Sequence, residues 1–251
     1  MEWQDEGIVL AARRHGESAL ILELLTREHG RHAGLVRGGQ GRKLRTVCQI
    51  GNRVAAHWKA RLAEHLGALD CELLHGHAAR VIDDPARLAC LAAAAAIAAA
   101  ALPEREPHPR LFAGLSGLLE SLDADHGWAV LYVEWELMLL AELGFGLDLS
   151  RCAATGSTAE LVYVSPRSGQ AVSAEAGAPY HDRLLKLPGF LLAPAIEEAP
   201  APQDVLDGLT LTGHFLEARL FAPHGREMPP ARARFVDLLT RLARMARDQD
   251  A

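Results

Sequence analysis

Five strand-like runs crowd the first 75 residues of the chain, and a helical pattern takes over after Pro85. Residues 7–14 (GIVLAARR) and 18–26 (SALILELLT) flank a short turn at His15-Gly16-Glu17. A second turn at Glu28-His29-Gly30, where Gly30 is free to take positive φ, leads into residues 31–37. Residues 52–59 (NRVAAHWK) alternate, with Val54, Ala56 and Trp58 on one face. Residues 67–74 make a fifth run. Short strands at this spacing predict a small closed or partly closed barrel.

After Pro85 the spacing predicts helices over 86–102 (stopped by Pro103), 109–122 and 127–143, the last apolar on most sides and ended by Gly144 and Gly146. Residues 149–180 are rich in Ser, Gly, Thr and Ala and read as irregular, with one strand-like patch at 161–164. A Pro-rich linker (Pro194, Pro200, Pro202) precedes two more helices, 203–221 and 230–247. The apolar run 88–102 is too short to span a bilayer and reads as a buried helix.

Charge is divided unevenly. The 251-residue chain carries a net charge of -6, yet residues 1–80 hold 12 basic and 9 acidic side chains. Between His29 and Ala63 stand eight cations and no Asp or Glu: Arg31, Arg37, Arg42, Lys43, Arg45, Arg53, Lys59 and Arg61. On a small barrel such residues make a groove that tracks phosphates. Gly38, Gly39 and Gly41 suit a mobile loop over 37–45 that approaches a nucleic-acid backbone closely. Arg37, Arg42, Lys43 and Arg45 are therefore the leading contacts, and Arg31, Arg53, Lys59 and Arg61 come second because some fall on another barrel face. Trp58 is the only aromatic residue within the cluster, so electrostatic contact should outweigh base stacking and sequence specificity should be low. The competing reading is a solvated basic face without a ligand.

Catalytic signatures are missing. The chain has no GxSxG and no HExxH, and RGGQGRK lacks the spacing of GxxxxGK[ST]. The acidic pairs Asp83-Asp84 and Glu197-Glu198 sit beside prolines and suit capping or linker roles. The four cysteines, Cys48, Cys71, Cys90 and Cys152, form no CxxC pair and point to reduced, intracellular thiols. The acidic start MEWQDE is unlike a signal peptide. Cys152 and Thr155, then Ser173 and Ala176, occupy the layout of C-x2-C…C-x2-C with three of four thiols replaced. One thiolate cannot hold a structural zinc ion, so no metal and no other cofactor is expected. The last helix carries Arg232, Arg234, Arg241, Arg244 and Arg247. These suit a solvated face, or an auxiliary contact with nucleic acid or an acidic peptide through Arg241 and Arg244.

Three segments resemble the RecO family of bacterial DNA repair and recombination mediators. They are EWQDEGIVLAARRHGESALILELLTREHGRHAGLVRGG, then ELMLLAELGFGLDLSRC, then VSPRSGQAVSAEAG followed by LLKLPGFL. Their order and spacing carry the resemblance over most of the chain. It implies an α+β multidomain protein with an N-terminal OB-fold β-barrel at 1–80. An α-helical domain at 81–251 would follow, interrupted at 149–180 by a degenerate zinc-ribbon-like module. It further implies a non-catalytic, cytoplasmic, nucleoid-associated protein with no membrane partner. Such a protein binds ssDNA and dsDNA and anneals complementary strands. It engages the acidic C-terminal tail of single-stranded-DNA-binding protein (SSB) and, with RecR, loads RecA on SSB-coated DNA. Thr155, Ser173 and Ala176 depart from the zinc-bearing pattern. Three other readings use the same residues: an RNA-binding OB module, an enzyme holding an anionic small molecule on the Gly-rich loop, and a non-catalytic adaptor acting through the helical domain.

Overall fold

The computed structural model describes residues 1–123, 127–192 and 200–249; Pro194 and the Glu197-Glu198 pair lie outside the described residues. The chain divides into two compact units. One is Met1–Asp125 with Pro229–Phe235, the other His126–Met228 with Val236–Ala251.

The first unit is built on five strands. They are β1 (Glu2–His15), β2 (Ala19–Thr26), β3 (Gly30–Val36), β4 (Arg53–Lys59) and β5 (Ala68–His75), closed into a barrel in the order β1-β2-β3-β5-β4. β1 starts earlier than the alternation predicts because it serves two partners. Its first half pairs with β4 from Glu2↔Lys59 to Ile8↔Arg53, and the remainder with β2 from Gly7↔Thr26 to His15↔Ala19. A register shift between Val9 and Ala11 bends the strand from one partner to the other. β3 and β5 run parallel and meet at Leu35↔Ala68, which completes the OB topology.

Alternate residues fill the interior. Leu22, Leu24, Val54, Trp58 and Leu69 are all buried there, so truncating one such leucine should cost about 2–5 kcal/mol. Gly34 has no room for a side chain, since a Cβ would stand 2.6 Å from that of Leu69. Gly30 does adopt positive φ (67°), and a Cβ there would fall on the Glu106 carbonyl.

The 37–45 stretch is not loop throughout. Backbone turns at Gly38 and Gly41 end it, and a short helix, α1 (Arg42–Val47), begins at the first cation after Gly41. Leu44 and Val47 lie three apart, so both drop onto the barrel core and hold the helix across that end. The single-turn α2 (His77–Arg80) follows the barrel. Then α3 (Pro85–Ala101) starts where Asp84 accepts hydrogen bonds from the Ala86 and Arg87 amides at 2.9 and 3.1 Å, the capping role expected for it. Ala93, Ala94, Ile97 and Ala98 are buried, and the helix packs on β1 and β2. α4 (Pro109–Ser121) completes this unit's long helices. Among the described residues no helix is long and apolar enough to cross a membrane.

In the second unit α5 (Trp128–Glu142) packs on α7 (Pro202–Phe215). Glu136 is fully buried and accepts a 2.6 Å hydrogen bond from the Thr212 hydroxyl. After Phe215 the helix widens into a π-turn over Leu216–Phe221, where continuous α-helix was expected. The last helix, α8 (Pro230–Gln249), carries residues of both units. The 149–180 stretch is more ordered than its composition suggests. β6 (Leu161–Val164), β7 (Ala171–Ser173) and β8 (Leu185–Lys186) form a sheet in the order β7-β6-β8, and a single turn, α6 (Ala174–Gly177), follows β7.

Candidate nucleic-acid interface

The eight cations singled out in the sequence fall into two electrostatic groups. Arg37, Arg42, Lys43 and Arg45 gather where β3 runs into α1; all four are exposed and none has an ion pair among the described residues. The Gln40 side chain ties this segment to the β1–β2 turn, donating to the Gly16 carbonyl at 3.1 Å and the Ala19 carbonyl at 3.0 Å. The tie brings in two cations that sequence reasoning passed over. Arg13 and Arg14 sit at the end of β1, opposite Ile21 and Leu20, exposed and likewise without an ion pair among the described residues. The adjacent Arg pair at a strand end is the available signal, although it lies outside the acid-free window.

Arg31 and Arg53 are committed inside the protein. Arg31 pairs with Glu23, donates to the Leu102 carbonyl at 2.8 Å and stands 3.6 Å from Glu104. Arg53 meets Glu120 at 3.0 Å, the Ser116 hydroxyl at 3.2 Å and Glu6 at 3.8 Å. Lys59 is exposed and 3.3 Å from Glu2. Arg61 is exposed on the β4–β5 loop with no ion pair among the described residues. A paired cation has its field largely cancelled, so an external phosphate gains little from it unless it displaces the acid.

The opposite end of the barrel is aromatic. Three nearly parallel rings stand in contact: Trp3 on Trp58 (centroids 5.7 Å apart, planes 15°) and Trp3 on His29 (4.3 Å, 10°). His32 packs edge-on against both tryptophans. It is 7% exposed, and neither ring nitrogen has a hydrogen-bond partner among the described residues. Burial, then the charges of Arg105 and His29, lower its pKa to about 4, while Glu104 and the His29 backbone pull the other way. The rings border a cavity of about 390 Å³ with Glu28, Ala63 and Arg105 on its wall. Strand spacing hid this cluster, because β1, β3 and β4 each supply one ring and the turn before β3 supplies His29, all from distant segments.

In the 149–180 stretch the buried Cys152 thiol accepts hydrogen bonds from the Ser173 amide at 3.3 Å and the Ser173 hydroxyl at 3.4 Å. Hydrogen bonds from Ser173 and Thr155 lower its pKa to about 6. Burial of the sulfur opposes that shift only weakly. One thiol, two hydroxyls and the Ala176 methyl do not fit zinc. Among the described residues no group of three or more His, Cys, Asp or Glu could hold a metal ion.

On α8, Arg241 and Arg244 are exposed. They adjoin Leu242 and Ala243, which with Trp128, Val205, Leu206 and Leu239 wall an apolar cavity of about 360 Å³ in the second unit.

Two family models match. The one described as Recombination protein O N terminal covers residues 1–77, and Recombination protein O C terminal covers 82–227. The chain is 56% identical over 239 residues to DNA repair protein RecO of Rhodospirillum centenum, covering 94% of each. It is 54% identical over 248 residues to the protein of that name from Rhodospirillum rubrum (96% of this chain, 97% of the relative). It is 51% identical over 245 residues to that of Phenylobacterium zucineum (98% and 100%).

Proposed function

The chain belongs to the recombination protein O family, and from that membership we propose that it acts in DNA repair as a recombination mediator. It binds ssDNA and dsDNA, anneals complementary strands, engages SSB and, with RecR, promotes RecA loading on SSB-coated DNA at the nucleoid. The observation that carries the DNA-binding part is the group of unpaired, exposed cations at the β3–α1 junction, set in an otherwise acidic chain. Their field attracts phosphates, and each phosphate neutralised releases counterions. Two strands held on such a surface repel each other less, so complementary bases can meet. No bond is made or broken, and no catalytic residue is required.

Arg37, Arg42, Lys43 and Arg45 are the principal contacts in this reading, with Arg13, Arg14 and Arg61 adding to the field. Arg31, Arg53 and Lys59 contribute less while their acids hold them. The acidic SSB tail suits the apolar cavity of the second unit, with Arg241 and Arg244 beside it.

Annealing of complementary strands precoated with SSB tests the proposal. The native protein should accelerate it, and reversal of Arg37, Arg42, Lys43 and Arg45 to Glu should abolish the acceleration. If neither protein accelerates annealing, the mediator reading fails and RNA becomes the next ligand to try.

A further inference from the structure

We propose that a nucleobase of single-stranded DNA stacks on His29 at the aromatic end of the barrel, extending the Trp58–Trp3–His29 column by one ring. The proposal rests on the DNA-binding reading above and adds a second, non-electrostatic subsite to it.

The column ends at a partly exposed ring. Trp58 is buried at its base, Trp3 lies between, and the His29 side chain is 31% exposed at the top. The adjoining cavity, bordered by His29, is wide enough for a flat heterocycle. The platform is rigid. Asp5 holds His29 Nδ1 at 3.0 Å and also accepts the Glu28 amide at 2.8 Å, so both the ring and its turn are fixed. His32 props Trp3 and Trp58 from the side. Its buried, unpartnered nitrogens make it a poor choice for stability alone.

The chemistry around the platform selects the occupant. Arg105 lines the cavity, and Arg61 is on the loop that also supplies its Ala63 wall, so a strand entering here meets cations for its phosphates. Glu28 on the same wall disfavours a bare anion. A ring that is aromatic, neutral and attached to a phosphate chain satisfies all three features. Every base has a π-face, so the subsite would be sequence-tolerant. The arrangement also gives the strand two fixed points, one at each end of β3.

The test compares a thymine homopolymer oligonucleotide with one of equal length whose central nucleotides are abasic; both carry the same phosphate charge. Binding is read by fluorescence anisotropy across a salt series. The native protein should prefer the base-bearing strand by about five- to tenfold, the effect expected of one stacked base. His29→Ala should remove that preference without changing the salt slope, and His29→Phe, which keeps a stacking face, should retain it. Equal affinity of the native protein for both strands overturns the subsite while leaving the DNA reading intact. So does an unchanged preference in His29→Ala. If neither strand binds, the subsite and the DNA reading fall together.

Discussion

Where β3 runs into α1, the barrel leaves four cations exposed and without an ion pair among the described residues, whereas at the start of the same strand it stacks aromatic rings around a buried imidazole whose nitrogens have no hydrogen-bond partner among those residues. One strand, Gly30–Val36, joins the two ends and spans roughly 20 Å. Neither end maximises stability. Unpaired like charges repel, and an unsatisfied buried polar group costs about 1–3 kcal/mol. Arg31 and Arg53, at the starts of β3 and β4, are placed differently: each is paired with acids, and Arg31 also donates to the Leu102 carbonyl and Arg53 to the Ser116 hydroxyl. A cation's value for binding therefore depends on whether the fold has already neutralised it.

The largest effect should come from the basic end. Reversing Arg37, Arg42, Lys43 and Arg45 to Glu should weaken ssDNA binding at low salt by about 100-fold or more and reduce the log–log salt slope by up to about 3, at roughly 0.7 per phosphate. An unchanged melting temperature would show that the fold does not depend on them. If affinity barely moves, the contrast between the ends has no functional meaning.

At the aromatic end the sharpest probe is pH. His32 is depressed in the folded state to about 4, so the unfolded chain takes up a proton as pH falls from about 6.5 and the folded chain does not until near 4. Stability contributed by the neutral ring is complete above pH 6.5 and is lost on acidification, by up to about 3 kcal/mol at pH 4. Denaturant titrations at several pH values should show that slope, and His32→Phe should flatten it.

Arg31→Ala probes the cations that the fold has already paired. It leaves Glu23 without its partner and should lower unfolding free energy by about 1–3 kcal/mol, while ssDNA affinity falls less than about twofold. A large affinity loss with unchanged stability would move Arg31 into the binding group. Gln40→Ala is a gentler test of the basic end. Freed from Gly16 and Ala19, the β3–α1 segment should bind ssDNA about two- to threefold more weakly with the number of phosphate contacts, read from the salt slope, nearly intact. The smallest effect belongs to the 149–180 stretch. Incubation with EDTA should leave its unfolding transition where it was, because its one thiol is tied to Ser173.

Much of the frame was legible. The alternation in 52–59 puts Val54, Ala56 and Trp58 inward, where the barrel has them. Gly30 takes the positive φ its turn position suggested. The acid-free run of cations was also plain. What could not be read was which of those cations were already spoken for. Glu120, which holds Arg53, is 67 residues away, and Leu102, whose carbonyl holds Arg31, is 71 away. Trp58 seemed a lone aromatic because Trp3 and His29 join it only after β1 and β4 pair at Trp3↔Trp58. The helix at Arg42 was missed for a similar reason. Glycines before it argue for a loop, and only the barrel core that receives Leu44 and Val47 makes the helical turn worthwhile.

By itself the sequence determined the features that depend on near neighbours or on composition. These are the strand alternation, the capping by Asp84 and the uneven charge. Tertiary structure alone decided which charges stand unpaired and which rings share a column. Local preferences act over a few residues, but a charge's field and a ring's contacts depend on distance in space. Closure of the barrel sets those distances by joining segments the chain holds far apart.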